Sequence, residues 1–318
     1  MTAMAERENQ PDAARNREDG MSGNGGAREF QLGPGADWME SLGGDWVPPV
    51  IDPTVPHPFR MYNYLIGGKD NYQADRDAVE VLLRARPDTA ISARAVEAFC
   101  RRSVRYLVGS GITQFLQLGT AISVANSHDQ IAREVDPSCR FVYVADDPIT
   151  LAHARALLVG RPDSDVTVVE GNFRKPGLML GDPMVTAHLD LDQPIGVLLL
   201  GMLDYIRDKE QAHRALAEVV GWVPPGSMIA FYHVEEVGQN DIDEAVDLIM
   251  AQERIELTPR SLDEIESIVA GYDLIYPGLV QLPAWRPEDV SPQDESWDVG
   301  PGPEMADRAA TLGGVIKA

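Results

Sequence analysis

The sequence predicts an α/β protein: a Rossmann-like, doubly wound, mostly parallel seven-stranded sheet with helices on both faces. Three observations carry this. Apolar runs of strand length alternate with amphipathic segments of helix length; the first four runs are almost continuously apolar, as parallel strands covered on both faces should be; and the first run ends in a glycine turn. In chain order the strand-like runs are "ITQFLQLG" (112–119), "RFVYVAD" (140–146), "DVTVVEG" (165–171), "IGVLLLG" (195–201), "SMIAFYHV" (227–234) and a pair around "DLIYPGLVQL" (273–282). Helical segments are expected at 92–108, 123–135, 148–159, 208–221, 240–255 and 261–270. The last begins at Ser261 with Glu264 three residues on, the capping-box spacing, and stops at Gly271. Asp147 before Pro148 is a good N-cap for the third helix.

The ends of the chain have a different composition. Residues 1–36 are rich in Gly, Ala, Asn and charge and are expected to be a disordered tail. Residues 37–91 read as an extended arm followed by a helical cap, 92–287 as the α/β domain, and 288–318 as an acidic, irregular tail. Twenty-seven basic against 50 acidic residues give a net charge of -23, which disfavours nucleic acid and anionic membrane as partners. Arg101, Arg102 and Arg105 lie together, but such a trio on a helix is expected to be a solvated face. Two cysteines without metal-ligand spacing imply a reducing compartment and no structural metal, and "EVGQNDIDE" (236–244) also lacks a metal-ligand pattern. With no long apolar run and no signal-peptide core, the expected location is cytoplasmic.

In a doubly wound sheet a ligand meets the carboxyl ends of the strands. The tips here are Gly119-Thr120-Ala121, Ala145-Asp146-Asp147, Gly171-Asn172-Phe173, Gly201 to Tyr205, and Tyr232-His233. Gly119 at a strand-to-helix turn suits either tight packing or a close backbone approach to a ligand, and Asp146 could hold a ribose diol.

The segments "VPHPFRMYNYLIGGKDNYQADR", "QFLQLGT", "VYVADDPITLAHARALL", "LLLGMLDYI", "PPGSMIAFYHV" and "YPGLVQLPAWRP" resemble, in order and spacing, an actinobacterial S-adenosyl-methyltransferase family with the class I fold, formerly a domain of unknown function. The resemblance spans about residues 52–287, and "RMYNYLIGGKDNYQADR" is its most specific element. It implies an S-adenosylmethionine site touched by Tyr62, Lys69, Gly119, Thr120, Ala121, Asp146 and Asn172, with Tyr64 in the part that closes over it. His128, with Asn126, resembles an Asn-x-His pattern of the family. The chain departs from the pattern at four strand tips: Gln117 and Ala121 replace an acid and a glycine, Ala145 replaces the ribose-binding acid, Asn172 replaces the acid near the adenine, and Asp204-Tyr205 replaces a His-containing turn.

Asp204, Tyr205, Tyr232 and His233 stand where substrate approaches in the family. Asp204 or His233 could act as a general base and Tyr205 as a donor to a developing oxyanion. The resulting expectation is a family member acting on a small molecule in specialised metabolism, its cofactor site eroded and its chemistry that of a cyclase or isomerase. An active methyltransferase and a non-catalytic binding protein are the alternatives.

Overall fold

The structure is a computed structural model that describes residues 52–119, 127–159, 165–172, 175–236, 257–292, 294, 305 and 308–318, all within one compact unit, Pro49–Ala318. The expectations for the 1–36 tail, the arm up to residue 51, the 240–255 helix, Thr120, Ala121 and Asn126 lie outside the described residues.

Among the described residues three helices precede the sheet: α1 (Pro58–Leu65), α2 (Gln73–Ala85) and the long α3 (Thr89–Gly109). There follow β1 (Gln114–Leu118), α4 (His128–Val135), β2 (Arg140–Ala145), α5 (Pro148–Leu157), β3 (Val166–Glu170), α6 (Pro176–Leu180), α7 (Pro183–His188) and β4 (Gly196–Leu199). A 3-10 turn at Leu203–Tyr205 leads to α8 (Lys209–Trp222), β5 (Met228–Val234), α9 (Leu262–Val269), β6 (Asp273–Leu274), β7 (Val280–Gln281) and β8 (Thr311–Lys317). Asp147 caps α5, accepting from Thr150 N at 2.8 Å, and Ser261 and Glu264 form the predicted capping box of α9.

The strand order is β3-β2-β1-β4-β5-β8-β6, with β7 also paired to β8. β1 to β5 are parallel, as their near-continuous apolar sequences require, and β8 runs antiparallel to β5 from Val234↔Thr311 to Met228↔Lys317. Eight strands therefore form the sheet where seven were expected. The pair around 273–282 is β6 and β7, two short strands on the same edge of β8. The additional strand, β8, comes from the segment expected to be an irregular acidic tail. Its two central glycines hide it in the sequence, yet a β-carbon on Gly313 would lie 2.5 Å from Leu282 Cδ2 and 2.6 Å from Phe231 O.

Strand alternation sorts the core into two layers. Phe115, Phe141, Tyr143, Ala145 and Ala230 pack on one face with Val96, Phe99 and Val104 of α3 and Ile131 of α4. Leu116, Leu118, Val142, Val144, Val197 and Phe231 pack on the other with Leu216 and Val219 of α8 and Ile268 of α9. The same alternation turns Gln117 toward the α3/α4 face.

The arginine trio on α3 is not a solvated face. Arg101 and Arg102 are buried. Arg101 donates to Glu97 Oε1 and Asp294 Oδ1, both at 2.8 Å; Arg102 donates to the carbonyls of Leu282 and Trp285; and Arg105 pairs with Asp294 and Glu134. The helix is pinned to the segment after β7, and Asp294 of the expected tail is itself buried. Cys100 and Cys139 are unpaired and buried. Among the described residues no helix is long and apolar enough to cross a membrane.

Candidate functional site

The "RMYNYLIGGKDNYQADR" element builds a cap whose fixed points are polar. Arg60, buried, donates from Nε to Asp75 Oδ2 at 2.9 Å, from Nη1 to Asp147 Oδ1 at 2.7 Å and from Nη2 to the Val55 carbonyl at 2.6 Å. Asp75 also accepts from the backbone N–H groups of His57 and Tyr72, both at 2.8 Å. Asn63 Oδ1 accepts from Asp70 N and Asn71 Nδ2, which folds the Gly67-Gly68 turn back on α1. His153 Nδ1 lies 3.2 Å from Asp70 Oδ1. The cap is thus tied to the β2 tip and to α5. Sequence reading singled out this element but missed the roles of Arg60, Asp75 and Asn63; an arginine and an aspartate 15 residues apart inside one motif were the available signal.

At the β1 tip Gly119 has φ +83, and a β-carbon there would meet the Leu200 carbonyl oxygen at 2.6 Å, so only glycine fits the turn. Gln117 is buried, with Oε1 2.8 Å from His128 Nδ1. Burial lowers the His128 pKa despite nearby Glu97, whose Oε1 is 3.9 Å from His128 Nε2. At the β2 tip Ala145 is buried and presents only a methyl group. Asp146 is partly exposed, with Oδ1 3.9 Å from His57 Nε2. Asn172 is exposed after β3, and its carbonyl accepts from Lys175 N at 2.9 Å. Lys69 is exposed in the turn after Gly68, and Tyr64 bonds Glu80 at the surface at 3.2 Å.

The family's cofactor can be tested against these positions. The Gly119 backbone fits a close approach. Of the side chains, Gln117 is engaged by His128 and Ala145 offers nothing to a ribose hydroxyl, while the neighbouring Asp146 is partly exposed. Among the described residues no cluster of three His, Cys, Asp or Glu side chains could hold a metal ion.

A cleft of about 130 Å³ opens between the cap and the tips of β4 and β5. Met61, Leu65, Leu82 and Val96 give it apolar walls, while Tyr62, Asp204, Tyr205 and Tyr232 form a polar end. The structure thus brings together four residues that the sequence reading had placed in two groups. Tyr62 Oη is 3.5 Å from both Glu97 Oε2 and the Ala93 carbonyl. Asp204 Oδ1 accepts from Val234 N at 2.8 Å, and its Oδ2 bonds no described residue. Tyr232 is buried, yet its hydroxyl hydrogen-bonds no described residue. Burial first, then the charge of Asp204, raises its pKa well above the usual phenol value. Tyr205 packs edge-on against Phe59.

His233 has a different placement from the one expected of a base. Its ring is buried, with Arg260 Nη1 donating to Nε2 at 2.6 Å and Nδ1 2.9 Å from Asp204 Oδ1. With Nε2 accepting, the proton sits on Nδ1 and is donated to the Val234 carbonyl at 2.9 Å, so neither nitrogen offers a lone pair to a ligand. Arg260 also donates to the carbonyls of Leu203, Ile206 and Arg207, bracing the 3-10 turn. Arg260 lay outside every motif in the sequence reading, and nothing local marked it.

The sequence pattern of the S-adenosyl methyltransferase family matches residues 44–308. The crystal structure of a "putative methyltransferase" from Thermobifida fusca YX is similar at 30% identity and TM-score 0.74, covering 86% of this chain and 100% of that one. A DUF574 family protein from Streptomyces avermitilis is similar at 29% identity and TM-score 0.75, covering 84% of this chain and 99% of that one. No curated protein matches the chain significantly.

Proposed function

This chain belongs to the S-adenosyl methyltransferase family, and from that premise we propose that it acts on a small, largely apolar molecule in the cap cleft without transferring a methyl group. One observation carries the reading. Where the family pattern places carboxylates at the β1 and β2 tips, this chain has an amide bound to His128 and a buried methyl group. Each lost charge-assisted hydrogen bond removes about 1.5–3 kcal/mol, so two together weaken cofactor binding by roughly 10²–10⁴-fold. The cleft itself is well formed, with an intact apolar lining and a polar end, which supports redirected rather than abandoned use.

A second reading, an active S-adenosylmethionine-dependent methyltransferase, is favoured by the Gly119 turn, which keeps the geometry of a close backbone approach, and by Asp146 next to Ala145. Calorimetric titration with S-adenosylmethionine and S-adenosylhomocysteine separates the two. Micromolar binding overturns the first; absence of heat at millimolar ligand overturns the second. Mass spectrometry of molecules released from the purified protein then identifies what occupies the cleft.

A further inference from the structure

Three features of the cleft specify its occupant more closely. The first is size: about 130 Å³ is close to the roughly 150 Å³ apolar cavity that accommodates benzene, so the enclosed part of a ligand is a single ring or its equivalent. The second is charge: the described residues lining it include one carboxylate, Asp204, and no lysine or arginine, so an anionic group would enter against repulsion without a counter-charge. The third is a pair of unsatisfied polar atoms. Tyr232, only 7% exposed, directs a hydroxyl with no hydrogen bond to any described residue, and Asp204, 1% exposed, leaves Oδ2 equally unengaged while Oδ1 is held by Val234 N–H. A β-carbon on Gly201 would stand 2.6 Å from Tyr232 Oη and 3.8 Å from Asp204 Oδ2, so the two atoms flank one point at the β4 tip. Both atoms are open to the cleft, so a ligand entering it meets a carboxylate oxygen and a phenol hydroxyl side by side.

Resting on the reading that the cleft takes a small molecule, we propose that Asp204 and Tyr232 are a proton-transfer pair for an uncharged, mostly apolar ketone. Asp204 Oδ2 removes a proton from the carbon next to the carbonyl. The C–H electron pair becomes a carbon–carbon double bond, and the carbonyl π pair moves to oxygen, where the Tyr232 hydroxyl donates a hydrogen bond to the enolate. Asp204 then returns a proton to the ligand after its carboxyl group has exchanged with solvent, at the original carbon or, in a β,γ-unsaturated ketone, at the γ-carbon. The step is an isomerisation that consumes no oxidant, reductant or cofactor. His233 and Arg260 act as positioning residues: Arg260 fixes the His233 ring with Nδ1 2.9 Å from Asp204 Oδ1, the oxygen that Val234 N–H holds, and Oδ2 is left to the ligand. Tyr232 stays protonated throughout the neutral range because burial and the Asp204 charge both oppose its ionisation.

The test uses the full-length protein and two probes. 3-Cyclohexen-1-one is followed by the ultraviolet absorbance of its conjugated isomer, and cyclohexanone by proton NMR in deuterated buffer for loss of its α-protons. Binding of cyclohexanone and of cyclohexanecarboxylate is read by saturation-transfer NMR. The expected result is isomerisation and α-exchange above the buffer rate, lost by about 10²–10⁴-fold in Asp204→Asn and reduced in Tyr232→Phe, with cyclohexanone still bound. Asparagine keeps an oxygen for Val234 N–H and phenylalanine keeps the Tyr232 ring, and circular dichroism verifies the fold of each. Ala93→Phe, which fills the cleft, should abolish both binding and turnover; turnover that survives it overturns the proposal. Cyclohexanone binding without exchange in the parent protein overturns the proton transfer and leaves the cleft reading standing. Failure to bind cyclohexanone, or preference for the carboxylate, overturns the ketone assignment. Failure of the small-molecule reading itself is seen separately, as an Ala93→Phe substitution that displaces none of the molecules released from the purified protein.

Discussion

Gln117 Oε1 and His128 Nδ1 lie 2.8 Å apart with both side chains buried, and the pair occupies the position where the family pattern has an acid at the end of the first strand. The amide has a matched partner on α4, so this neutral side chain leaves no orphaned polar atom at the strand end.

This pair predicts a pH dependence of stability. Burial holds the His128 pKa below its ordinary value of 6.5, so between those values the unfolded chain binds the proton more readily than the folded one. The stabilisation is present in full above 6.5 and is lost as pH falls through the lowered folded-state value. Urea midpoints measured from neutral to mildly acidic pH should fall, and His128→Gln should flatten that decline relative to the parent.

Arg60 joins the cap to the sheet through two buried carboxylates. Arg60→Met leaves Asp75 and Asp147 buried without their counter-charge and should cost about 3–5 kcal/mol in denaturant unfolding, with faster proteolysis within α1 and α2. The double change Arg60→Met with Asp147→Asn should recover part of that loss, because one stranded charge is removed.

The cofactor tips can be rebuilt. Ala121→Gly together with Ala145→Asp supplies the glycine and the ribose carboxylate that the family resemblance implies, and on the proposed reading should raise S-adenosylmethionine affinity by at least about tenfold, the equivalent of one charge-assisted bond. Calorimetry on the parent and the double variant reads this directly. Unchanged affinity would mean that other residues close the site.

Removing residues 311–318 tests the status of the last strand. Leu312, Val315 and Ile316 are buried, and each contributes about 1.5–3 kcal/mol, while β5 would lose its antiparallel partner and expose an edge. The truncated protein should be insoluble or molten, seen as loss of cooperative thermal unfolding. A chain that still unfolds cooperatively at the parent temperature would show that β8 is dispensable.

The parallel strands were legible because burial on both faces writes a continuous apolar run, and the helix caps because Asp147-Pro148 and Ser261…Glu264 are local signals. β8 was not legible. "TLGGVIK" follows an acidic, proline-rich stretch and carries two glycines whose necessity is created by Leu282, Phe231 and Gly278, residues distant in sequence. Arg101, Arg102 and Arg105 misled for the same reason: an arginine is expected at the surface unless its partners are known, and Asp294, Leu282 and Trp285 lie some 180 residues further on. Within the site, Tyr232 and Asp204 could be nominated from their place at the strand tips. What separated them from His233 was hydrogen bonding to Arg260, which only the folded chain displays.

Asp147 has one further consequence for how the cleft can be reached. The same carboxylate caps the first turn of α5 and receives Arg60 from α1, one oxygen for each. Swinging α1 outward would therefore strip a helix of a neighbour to its capping group and strand a guanidinium and two carboxylates in the same movement. The wall that carries Tyr62 is a doorpost rather than a door, and a molecule entering or leaving must use a threshold that keeps α1 seated.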